Sequence, residues 1–172
     1  MAAVQPSPGG ASVHALTGNE LLAWADDTAN RWRAVLTAHP EALEFPCDIN
    51  GGRVVADLVQ HIVEAELGYA SRLCSTTYVR EPVGSRTADD LYALHDRAVS
   101  LLRTLLADDA FDWDALLDFS PRTAAAFRAS RRKVFGHLLM HSIRHHAQLA
   151  TIVRHGGVQV PLTLDYLFAE SR

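Results

Sequence analysis

Residues 130–157 read SRRKVFGHLLMHSIRHHAQLATIVRHGG, and the spacing inside this stretch decides the fold. Histidines recur every fourth position at His137, His141 and His145. An α-helix turns once in about 3.6 residues and rises about 1.5 Å per residue, so side chains at i and i+4 stand one above the other. The stretch is therefore predicted to be a helix over about 130–154. Gly156 and Gly157 stop it, with Arg154 and His155 near the negative end of its dipole. Each i+4 step advances about 40° around the axis, which leaves His137 and His145 about 80° apart. Only one adjacent pair of the three can aim well at a single ion. His146, offset by about 100° from His145, and His155 at the helix end read as surface residues or as supports behind a ligand.

Far upstream, LVQHIVEAELGYASRL at 58–73 carries an isolated histidine, His61. On a helix over about 53–74 it shares a stripe with Val54, Leu58, Ile62, Ala65, Tyr69 and Leu73, the face expected to look into the protein. An imidazole there could add a third ligand to a pair on the last helix. Three imidazoles leave coordination positions open for water or substrate, the arrangement of a catalytic rather than a closed structural metal.

Two further segments have helical periodicity. Thr17 and Glu20 have capping-box spacing ahead of Leu21, Leu22, Trp24, Ala25, Ala29, Trp32, Val35 and Leu36, and Pro40 ends the run. Thr87, with Asp89 and Asp90 in the first turn, opens a helix to about 107 that carries Leu91, Leu94, Ala98, Leu101, Leu102 and Leu105. Residues 108–130 are less decisive and read as irregular structure or a hairpin. The expectation is an all-α four-helix bundle over 17–172, preceded by a mobile N-terminal arm at 1–16 and closed by a short tail after Gly157 that folds back over the bundle.

Composition narrows the function. The chain has 172 residues, 48% of them hydrophobic, which suits one core without disulfides. Two cysteines, Cys47 and Cys74, form no metal or redox motif and read as small hydrophobes in a reducing compartment. A formal charge of -4 makes nucleic acid and anionic membranes poor partners. With no secretory leader pattern and no long apolar run, the expected location is the cytoplasm.

The segment His141-Ser-Ile-Arg-His145-His146-Ala-Gln148, continuing LATIVRHGG, resembles the HxxxH…Q signature near the end of the last helix in the DinB/YfiT-like family of metalloenzymes. LVQHIVEAELGYASRL similarly resembles that family's second helix, whose single histidine is the third ligand. With the helix order, the likeness runs from about residue 18 onward. It implies a four-helix bundle of DinB/YfiT-like type and a metal triad of His61, His141 and His145, with Gln148 orienting a ligand or packing on the first helix. His146-Ala147 stands where many relatives have Arg-Gly.

The resemblance also implies a divalent metal, zinc or nickel. It points to a thiol-dependent S-transferase or detoxification enzyme that uses a low-molecular-weight thiol as cosubstrate on a small-molecule substrate, and a homodimer. A metal-dependent hydrolase and a non-catalytic metal-binding dimerisation module are the alternatives. Glu64 and Tyr69 are the weak catalytic candidates. Glu64 and Glu66 read more readily as a solvated acidic flank, and Tyr69 as a core aromatic. Arg128, Arg131, Arg132 and Lys133 form a basic run that reads as a solvated face or as a receiver for the carboxylates of an acidic thiol.

Overall fold

A computed structural model describes residues 16–80, 83–119, 126–160 and 165–168. The expected mobile arm, 1–16, falls outside them apart from Leu16. Four helices are present among the described residues: α1, Gly18–Ala38; α2, Val55–Leu73; α3, Ala88–Leu106; and α4, Arg131–His155. The all-α four-helix reading therefore holds. None of these helices is long and apolar enough to cross a membrane.

Helix starts follow their caps. The Thr17 hydroxyl accepts from the Glu20 amide at 3.1 Å while Glu20 accepts from the Thr17 amide at 2.7 Å, and Thr87 and Asp90 repeat the exchange on α3. Ahead of α2, Asp57 Oδ2 accepts from the amides of Arg53 and Val54 at 2.8 and 3.2 Å. The undecided region resolves as a hairpin: β1, Leu116–Phe119, pairs antiparallel with β2, Phe127–Ser130, Leu116 standing opposite Ser130. Ser130 ends β2 and also caps α4 by accepting from the Lys133 amide.

The helices do not alternate in direction. Arg33 reaches Asp96 at 2.7 Å and Arg103 reaches Asp26 at 2.6 Å, which sets α1 and α3 antiparallel. One apolar cluster joins Leu22 and Ala25 to Leu67, Ala70 and Leu73, to Ala98, Val99 and Leu102, and to Val134, Phe135 and Leu138. It thus brings the start of α1 and of α4 against the end of α2 and of α3. A second cluster collects the opposite ends around Trp32, Leu36, Val59, Ile62, Leu91, Tyr92, Leu149 and Val153. Accordingly α1 and α4 point one way, α2 and α3 the other. The connection over 74–87 is long enough to return the chain along the bundle so that α3 starts beside the start of α2.

Between the apolar clusters lies a belt of buried polar side chains. His95 donates from Nδ1 to Glu66 at 2.7 Å and from Nε2 to Asp26 at 3.2 Å. Tyr92 lies 3.2 Å from His146 Nε2, and Ser142 Oγ lies 3.3 Å from His146 Nδ1. All four helices contribute.

This belt corrects one expectation and decides between two others. Glu66 is not part of a solvated flank: it is 4% exposed, because α2 packs on both α3 and α4 and is buried over a wider arc than one stripe. Of the two readings of His146, surface residue or support behind a ligand, its full burial with the ring stacked on Tyr92 excludes the surface one. The basic run is locally engaged, Arg128 pairing with Asp118, Arg132 with Asp114, and Arg131 lying over the Phe111 ring. Cys47 is buried, Cys74 half-buried, and both are free. The tail does fold back: Val158 is buried, and Tyr166 meets the Trp24 ring edge-on at 5.5 Å.

Candidate metal centre

α2 and α4 pack antiparallel, and His61, in the first half of α2, comes across to His141 and His145 on either side of the α4 midpoint. One ring nitrogen from each lies within 4.8 Å of those of the other two. The ring centroids are 5.0 Å apart for His61–His141, 5.0 Å for His61–His145 and 4.5 Å for His141–His145. His145 is buried; His61 and His141 are half-buried. His61 is thus at the α4-facing margin of the buried face of α2, whose interior is filled by Leu58, Val59, Ile62, Val63 and Glu66.

Of the two pairs left open by helical spacing, His141 and His145 are the one that meets His61. His137 is exposed, 5.8 Å from the His141 ring, and turns instead against Tyr69 at 5.3 Å. Tyr69 is half-buried between His137 and Phe119, two turns along α2 from His61. Glu64 is the candidate that shares a cleft with His61. Its Oε1 accepts from Gln60 at 2.7 Å and from Arg80 at 2.9 Å.

The cluster is built to be neutral. Burial lowers the His61, His141 and His145 pKa values, and crowding by neighbouring imidazoles and by Arg144 adds to it, bringing His141 to about 3. Neutral imidazoles keep their lone pairs available at physiological pH. His145 donates from Nδ1 to Gln148 Oε1 at 2.6 Å, which fixes its tautomer and leaves Nε2 as the lone-pair nitrogen. Arg144 donates to that Nε2 at 3.2 Å, a contact that any ligand taking this lone pair must displace. His141 Nδ1 is buried and has no hydrogen-bond partner among the described residues. Such an atom costs about 1–3 kcal/mol unless something outside the chain satisfies it. An unsatisfied nitrogen among three crowded neutral imidazoles is a donor set that fits a divalent ion.

Arg53, Arg80, Arg144 and Gln60 surround this centre without having been singled out in the sequence. Arg53 and Arg80 lie on connections flanking α2 and line the cleft beside His61 only through the fold, so no local spacing announces them. Arg144 sits inside the histidine motif but differs from an ordinary solvated arginine only by its contact with His145.

No curated protein matches this chain. The DinB family matches it over residues 12–172, nearly the whole sequence. With four helices in the expected order and the upstream histidine brought to the HxxxH pair, the chain belongs to the DinB family.

Proposed function

We propose that this protein is a metal-dependent enzyme that holds zinc or nickel on His61, His141 and His145 and transfers a low-molecular-weight thiol to an electrophilic small molecule. The observation that carries the reading is the convergence of three neutral imidazoles from two helices beside an open cleft. When bound, the ion supplies an undiminished positive charge at a free position, which favours the deprotonated form of a thiol there near neutral pH.

The chain supplies the rest. Gln148 holds the His145 ring in one tautomer, and burial favours the unprotonated form of all three imidazoles. Glu64 faces the same cleft as His61 and is placed to receive the thiol proton. Of the other carboxylate lining that cleft, Asp57, both oxygens are already used by the amides of Arg53 and Val54 and by Arg86. The thiolate sulfur then forms a bond to the electrophilic carbon as the bond to the leaving group breaks, the leaving group departing with the electron pair and taking up a proton from solvent or Glu64.

The test is thiol dependence. Zinc- or nickel-loaded protein should turn over activated alkyl or aryl electrophiles only when a thiol is added, and His141→Ala should abolish that turnover. Turnover at the same rate without thiol would overturn transfer and leave hydrolysis as the activity.

A further inference from the structure

The cleft beside His61 has a volume of about 400 Å³ and is lined by Arg53, Asp57, Gln60, Glu64 and Arg80 among others. A space of this size holds one small molecule rather than a polymer segment. Its charges are unevenly committed. Asp57 is held by two backbone amides and by Arg86 at 2.7 Å, which keeps its pKa near 2 and its charge answered. Glu64 is answered by Gln60 and Arg80.

Arg53 has no carboxylate partner among the described residues, and the Arg80 side chain is 70% exposed and touches Glu64 through Nε. On the α4 side of the same histidines, Arg144 contacts an imidazole nitrogen and has no carboxylate partner among the described residues. Around these histidines the described residues place Arg53, Arg80, Arg86 and Arg144 against Asp57 and Glu64, a surplus of cations on a chain whose formal charge is -4. The guanidinium fork matches carboxylate geometry with two parallel hydrogen bonds.

We infer that this cleft recognises the carboxylates of an acidic low-molecular-weight thiol, Arg53 and Arg80 taking the carboxylates while the sulfur faces the three histidines. The inference rests on the proposed thiol chemistry for the position of the sulfur, but the anion preference of the cleft is separable from it. It places the carboxylate receiver in the cleft that His61 lines, whereas the basic run at 128–133 lies at the opposite end of α4, beside the hairpin.

Isothermal titration of zinc-loaded protein with mercaptosuccinate, which carries a thiol and two carboxylates, and with 2-mercaptoethanol, which carries a thiol and none, tests this directly. Mercaptosuccinate should bind at least tenfold more tightly. In Arg53→Gln/Arg80→Gln that advantage should shrink to about twofold at unchanged zinc stoichiometry. Equal affinities in the wild type, or an advantage that survives in the double variant, would overturn the inference.

Titration of metal-free protein with succinate keeps the two readings apart. Saturable succinate binding that the double variant loses supports the anion cleft even if zinc fails to bind to the histidines. Succinate binding that the variant retains, or none in the wild type, contradicts it whatever the zinc content.

Discussion

His95 and His146 lie in the same polar belt and titrate in opposite directions. Burial pushes both down, but His95 is overruled by the charge of Glu66 and by hydrogen bonds to Asp26 and Glu66, and rises to about 9. His146 has Tyr92 and Ser142 rather than a carboxylate at its ring nitrogens, and burial leaves it at about 4. Each shift is a stability statement. Between pH 6.5 and about 9 the folded state binds the proton on His95 that the unfolded chain has released, so that stabilisation is complete below pH 6.5 and is lost as pH rises. Between about 4 and 6.5 the unfolded chain protonates His146 and the folded state does not, so stability falls as pH drops. In metal-free protein His141 adds to the acidic limb. Urea midpoints should therefore peak near pH 6.5 and decline on both sides, and His95→Gln should flatten the alkaline limb; a midpoint still rising at pH 9 would contradict this. Removing one partner of a buried pair costs about 3–5 kcal/mol, so Glu66→Ala should destabilise by that order. Glu64→Ala, whose partner Arg80 is largely exposed, should stay within about 1 kcal/mol in the same denaturation experiment.

At the level of elements, what the sequence reveals depends on how local the cause is. All four helices lie within two residues of their expected ends because their signals are local: Thr17 with Glu20, Thr87 with Asp90, Ser130 before α4, and Pro40 and Gly156 after the apolar runs. The hairpin was harder to read because each strand has only four residues and finds its pairing partner across the turn, Phe119 opposite Phe127 with stacked rings 5.1 Å apart. The burial of Glu66 is hidden from the sequence for a related reason. Its place on α2 gives no hint that His95, 29 positions later, will arrive from α3 to pair with it. Gly156 has a role beyond stopping the helix. Its φ of -72° suits any residue, but a Cβ there would run into the Phe45 ring. Gly156→Ala should therefore force that ring aside and cost about 1–3 kcal/mol in thermal or urea unfolding, whereas an unchanged midpoint would show that the contact yields freely.

For the molecule as a whole, the packing of α2 on α4 converts a sequence motif into a site. It sets His61, in the first half of α2, level with His141 and His145 on either side of the α4 midpoint. The HxxxH spacing was legible as a possible chelate, and the third imidazole was legible through family resemblance. The cations of the cleft were not, since Arg53 and Arg80 are brought to it by topology, and Arg144, though local, reads in sequence as an ordinary helix arginine. The polar belt joins all four helices directly behind His145 through its neighbour His146, so the α4 backbone at this centre is held by buried hydrogen bonds as well as by apolar packing. The most direct measurement is metal content by inductively coupled plasma mass spectrometry on tag-free protein reconstituted with zinc or nickel. Wild type should be compared with His61→Ala, His141→Ala and His145→Ala at matched helicity by circular dichroism. The account predicts close to one ion per chain in the wild type and its loss in each variant, with His137→Ala retaining it. Wild-type protein that takes up neither metal, or variants that keep it, would contradict the metal centre.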